Sequence, residues 1–134
     1  MMKFIIDSVE NGCLTLRAPG TNYRHTFQCS GGSNLSPGGK VFGAIYAAAY
    51  KIEPVSAGGN YVEPVFGRPR RMQGLVVAQH PDRNELVVRV GYDVVVKAPT
   101  GQNASDFAVG SRVGWDNAAD PRFELEAVNA DKTT

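Results

Sequence analysis

A displacement of 72 positions lays the second half of this sequence on the first without a gap. Leu14 falls on Leu86, Leu16 on Val88, Arg17 on Arg89, Ser33 on Ser105, Asn34 on Asp106, Leu35 on Phe107, Gly38 on Gly110, Lys40 on Arg112 and Val41 on Val113. Character repeats more often than identity, as it does when a duplicated unit keeps its core and turn positions. The expectation is a β unit built twice. A chain of 134 residues holds one ordinary domain or two very small ones, and at this size roughly two-thirds of the unfolded surface is buried on folding.

The local pattern carries the same message. Short runs of β-type residues alternate with Gly, Pro, Asn and Asp, and amphipathic helical periodicity is almost absent. Residues 3–9 and 13–18 read as two strands joined at Glu10-Asn11-Gly12, since Asn-Gly is a strong hairpin signal. A third strand is expected at 25–29, a flexible run at 30–34, a fourth strand at 40–45 and a fifth at 50–55; residues 46–50 fit either a helical turn or continued strand. The second half repeats this order at 72–79, 85–90, 93–98, 111–115 and 123–128, with a frayed tail at 129–134. The predicted architecture is therefore all-β: two similar five-stranded barrels of the OB or SH3-like kind, at 1–55 and 72–128, packed together through a connector at 56–71. Barrels also remove the open edges that so many short strands create.

Charge and composition narrow the function. Fourteen basic side chains against thirteen acidic ones leave a formal net charge of +1, so no global field steers the protein to nucleic acid or to a membrane surface. No stretch approaches the roughly 20 apolar residues of a membrane span, and Asp7 interrupts the start before a signal-peptide core forms. A cytoplasmic protein is expected. If Leu16 faces Phe27 and Leu14 faces Cys29, Cys13 points to the opposite side of the hairpin from Cys29, which argues against a disulfide.

Enzymatic readings lack parts. His25 and Cys29 lie roughly 13 Å apart along an extended strand, and no Cys-x-x-Cys or His-x-x-x-His pair offers a metal site. The glycines of Pro37-Gly38-Gly39-Lys40-Val41 are not spaced as a phosphate loop. Asp116 and Asp120 near Trp115 are a loose acid pair, and Trp115 itself reads as core, an exposed binding indole being the alternative. No catalytic residue, cofactor or metal is predicted.

The connector is where contact chemistry concentrates. Gly58, Gly59, Pro64, Gly67 and Pro69 oppose regular structure, yet Tyr61, Val62, Val65 and Phe66 are too apolar for a solvated linker. They either cover the rest of the molecule or reach a neighbouring subunit. Arg68, Arg70 and Arg71 beside Tyr61 and Phe66 combine guanidinium groups with aromatic faces, the pairing that holds phosphates and bases, although such arginines also pair with acids such as Glu63 and Asp82. Arg17 and Arg89, at equivalent places in the two halves, would clamp a small anion if they faced one cleft.

The strand order, with the turns Pro37-Gly38-Gly39-Lys40-Val41 and Val109-Gly110-Ser111-Arg112-Val113, resembles tandem small-barrel modules of the OB or TOBE-like kind. The likeness is one of pattern across both halves, without a diagnostic motif, and it implies binding between barrels or on a sheet face. The reading that follows is a non-enzymatic binding or assembly module, a homodimer or higher oligomer or the partner of another protein, with Phe66 and Tyr61 as apolar anchors and Arg68, Arg70 and Arg71 as polar rim. Single-stranded nucleic acid on the 68–71 segment is the alternative, and anion binding between the barrels the third.

Overall fold

The computed structural model describes residues 2–29 and 35–126. The expected flexible run at 30–34, the Ser33 and Asn34 members of the 72-residue correspondence, the end of the strand expected at 123–128 and the tail at 129–134 lie outside the described residues. The chain is all-β: β1 (Met2–Glu10), β2 (Cys13–Arg17), β3 (Arg24–Cys29), β4 (Lys40–Pro54), β5 (Tyr61–Glu63), β6 (Phe66–Gly67), β7 (Arg71–His80), β8 (Glu85–Arg89), β9 (Asp93–Lys97), β10 (Arg112–Asn117) and β11 (Arg122–Leu125), with short 3-10 turns at Pro81–Arg83 and Ala104–Asp106. Among the described residues no helix is long and apolar enough to cross a membrane.

All eleven strands belong to one mixed sheet, ordered β1-β2-β3-β11-β4-β10-β7-β8-β9, with β5 on β7 and β6 on β3. Two further pairings, β1 with β4 and β4 with β9, bring the ladder back to β4 from either end. β4 is the strand on which everything meets. Its residues 40–43 pair β1, 43–46 pair β11, 45–48 pair β9 in parallel, and 49–54 pair β10. It is one continuous strand where a helical turn at 46–50 had been an open alternative: Val41, Gly43, Ile45, Ala47 and Ala49 alternate inward, and the phase then changes so that Ile52 is the next buried residue. Alanine favours helix by propensity, but strand pairing on both sides overrides it here.

Inward alternation explains the other strands as well. Phe4 and Ile6 of β1, Leu14 and Leu16 of β2, and Leu86 and Val88 of β8 are all buried, while their neighbours face outward. The β2–β3 register differs from the expected one by two residues: Leu14 lies opposite Phe27, Leu16 opposite His25 and Cys13 opposite Gln28. A slip of two keeps every side chain on its face, so hydrophobic alternation alone does not choose between the registers. The turn chooses, with Thr21 N–H and Oγ1 both donating to the Ala18 carbonyl (3.2 and 2.8 Å) and Tyr23 N–H donating to Thr21 Oγ1 (3.2 Å).

The halves expected at 1–55 and 72–128 exchange strands across β4 and share one core. Tyr92, from the second half, stands edge-on to Phe4 and Phe27 of the first at 5.8 and 6.2 Å, and Phe123 meets Phe4 at 5.7 Å. Trp115 is fully buried and donates its indole N–H to Asn117 Oδ1 at 2.7 Å, which makes it core.

Candidate functional site

The connector is folded onto both halves. β5 runs antiparallel to β7 and β6 runs parallel to β3, strands that sequence reading missed because Gly and Pro crowd the segment. Val62 is buried and its N–H donates to Tyr23 Oη (3.0 Å), and the buried Gln73 amide donates to the Ala57 and Gly59 carbonyls (3.1 and 3.0 Å). His25, only 1% exposed, sits beneath. Its Nε2–H donates to the Pro64 carbonyl and its Nδ1 accepts from Tyr92 Oη, both at 2.8 Å. Those partners define the neutral Nε2–H tautomer, and burial lowers the imidazole pKa from its ordinary value. Tyr61 is half-buried, whereas Val65 and Phe66 are 43% and 61% exposed.

Two of the three arginines in the run are ion-paired. Arg68 is ion-paired with Asp120, and Arg71 Nη1 lies 3.4 Å from Asp116 Oδ1. The Asp120 hydrogen bond and charge raise the Arg68 pKa; the Tyr61 hydroxyl, then Asp116, raise that of Arg71. Asn117 completes the dock, its side-chain amide donating to the Pro69 carbonyl (3.0 Å) and its N–H to that of Arg70 (2.8 Å). The acids are not Glu63 or Asp82 but the Asp116 and Asp120 pair: β10 pairs with β7 and sets Asp116 opposite Arg71, and the segment that follows β10 brings Asp120 to Arg68. Arg70 is exposed and has no ion pair among the described residues.

A different set of cations is on display. Lys40 lies opposite Ile5, Ile5 opposite Arg17, Arg17 opposite Arg24, and Arg24 opposite Phe66, one rung across β4, β1, β2, β3 and β6. Their chain neighbours Val41, Phe4, Ile6, Leu16 and His25 are buried, so the rung faces outward. Four interstrand steps make it about 19 Å long. Among the described residues no carboxylate pairs with Lys40, Arg17 or Arg24. Arg17 and Arg24 oppose each other directly, an arrangement that destabilises a sheet. Beside them on the same face Thr15 and Thr26 share a hydrogen bond of 2.8 Å. Sequence reading selected Arg17 and Phe66 but not Arg24 or Lys40, since the expected register placed Arg17 opposite Thr26.

The remaining candidates are spent elsewhere. Arg89 Nε holds Asp93 at 3.0 Å, and three clefts on the surface are lined by neither Arg17 nor Arg89. One of them, about 670 Å³, is lined by Cys13, Cys29, Arg68, Arg122 and Glu124 among others. Arg122 is committed to Glu124 (2.7 Å) and lies 4.7 Å over the Tyr46 ring. Cys13 and Cys29 form no disulfide, and burial, reinforced by Cys13, pushes the Cys29 thiol up, away from thiolate chemistry. Among the described residues no group of three or more His, Cys, Asp or Glu side chains is arranged to hold a metal. The chain matches no family model, no curated protein and no solved structure.

Proposed function

We propose that the chain is a non-enzymatic binding module made of two fused small barrels of common origin, and that the outward rung Lys40, Ile5, Arg17, Arg24 and Phe66 receives a negatively charged partner. The paired hairpins support the common origin. β1–β2 shifts register between Ile6 and Ser8, β7–β8 between Val76 and Ala78. In both, the residue before the shift brackets the following glycine turn: Ile6 O accepts from Gly38 N–H (2.7 Å) and Ile6 N–H donates to Gly39 O (2.8 Å), while Val76 does the same with Gly110 and Ser111 at 2.8 Å each. The return of pairing to β4 from both ends of the sheet supports the reading as two barrels.

The observation that carries the binding reading is the Arg17–Arg24 opposition, with no carboxylate partner among the described residues, on the same rung as Lys40. Like charges set face to face cost stability in the free protein, and an anionic ligand removes that cost. An immobilised heparin column tests it. Wild type is retained at low salt, and the Arg17→Glu/Arg24→Glu variant elutes at clearly lower salt; wild type in the flow-through ends the proposal. Arg17→Glu alone, which replaces repulsion with an attractive cross-strand pair, raises stability by up to about 1 kcal/mol while weakening retention.

Self-association is a second reading, favoured by the exposure of Phe66 on β6 and of Val65 just before it, β6 pairing only β3 among the described residues. Light scattering on the same samples reads it directly: a dimer whose mass halves on Phe66→Ala supports it, and a monomer removes it.

A further inference from the structure

We propose that the partner of this face is a single-stranded nucleic acid, laid along the rung with phosphates on Lys40, Arg17 and Arg24 and a base stacked on the Phe66 ring. The inference rests on the anion-binding reading above and adds the identity of the anion. Three cations with no carboxylate partner among the described residues lie in file along one rung, Lys40 separated from Arg17 by Ile5 of β1, which suits a linear array of charges better than a compact one. Arginine presents a planar fork to a phosphate and makes two hydrogen bonds at once. Phe66 closes the file, 61% exposed and in register with Arg24. An aromatic face in line with phosphate-binding groups is the combination that holds an unpaired strand, because every base has a π-face to stack. A duplex keeps its base faces inside its stack, and a lipid headgroup has none. Ile5, half-buried between Lys40 and Arg17, offers an apolar interval for a sugar or base.

The site differs from the arginine run of the connector. Arg68 and Arg71 already hold Asp120 and Asp116, so a strand would have to displace those carboxylates to use them.

Fluorescence anisotropy with a labelled oligothymidylate of about 20 nucleotides, set against a duplex of the same length and anionic phosphatidylserine vesicles, tests the proposal. Three phosphate contacts predict that log K falls with log salt at a slope of about −2. Arg17→Ala/Arg24→Ala leaves one contact, so the slope flattens to about −0.7 and low-salt affinity falls about tenfold or more. Arg17→Lys restores part of the slope. Phe66→Ala weakens binding about tenfold without changing the slope, which separates stacking from charge. Thermal midpoints at or above that of wild type confirm that the exposed substitutions leave the fold intact, the arginine variants gaining from relief of the Arg17–Arg24 repulsion.

Retention on heparin without oligonucleotide binding overturns the strand while leaving the anionic face standing. Loss of both overturns the two together. Duplex bound as tightly as single strand, vesicles bound in preference to either, or Phe66→Ala without effect each overturns this inference.

Discussion

Buried between Pro64 and Tyr92, the His25 ring couples the connector to the aromatic interior, and its protonation state is part of the fold. Burial lowers its pKa in the folded chain, so the unfolded chain takes up the proton first. The stability tied to the neutral ring is complete above its ordinary value of 6.5 and is lost as pH falls below it. Thermal midpoints measured from pH 7.5 to 5 therefore decline, and His25→Phe flattens that decline while lowering stability at pH 7.5 by about 1–3 kcal/mol, since the Pro64 carbonyl and Tyr92 hydroxyl lose their partner. An unchanged pH dependence in the variant would move the titration to another group. Tyr92 acts at the opposite end: burial raises its pKa well above 10.0, so the stability it contributes declines as pH rises past that value. Sequence reading placed His25 on a strand but not in the core, and its two partners come from residues 39 and 67 positions away.

At the scale of elements, the close approaches are backbone to backbone. A Cβ added at Gly74 would lie 2.0 Å from the Arg89 carbonyl oxygen, and one at Gly43 would lie 2.2 Å from that of Glu124. Neither strand can yield without breaking its ladder. Where β4 leaves β9, the Gln102 side chain substitutes for a neighbouring strand: its Oε1 accepts from Ile52 N–H at 2.8 Å and its Nε2 donates to the Ile52 carbonyl at 2.9 Å. Gln102→Ala is expected to cost about 1–3 kcal/mol for each buried Ile52 group left unsatisfied. Gln102→Glu keeps the acceptor, sets a carboxylate oxygen against the Ile52 carbonyl, and does not restore stability. Gly74→Ala costs about 3 kcal/mol. Urea midpoints check all three, and a neutral Gln102→Glu would show that the amide donor is dispensable. Sequence reading placed Gln102 in a loop, and no local signal tied it to a residue 50 positions away.

At the scale of the whole molecule, strand exchange decides how the chain folds. β4 completes its ladders with β9 and β10 of the second half, and β11 pairs with β3 and β4 of the first. Segments 1–71 and 72–134 expressed separately should each lack stable tertiary structure, and mixing them should restore the β-type circular dichroism and near-ultraviolet signal of the intact chain. The intact chain should unfold in a single transition. A segment 72–134 that folds alone would show that its own ladders suffice without β4.

Sequence alone determined the all-β class, the hairpins at 10–12 and 80–84 and most strand positions, and it favoured a core place for Trp115 that the structure then settled. Each of these rests on short-range alternation and turn chemistry, which act within a few residues. Only the tertiary structure decided the β2–β3 register, the unbroken course of β4, the docking of Arg68 and Arg71 on Asp120 and Asp116, and the alignment of Lys40, Arg17, Arg24 and Phe66. Side chains from distant positions become neighbours through strand pairing, and a two-residue slip leaves the hydrophobic pattern unchanged while altering which charges meet.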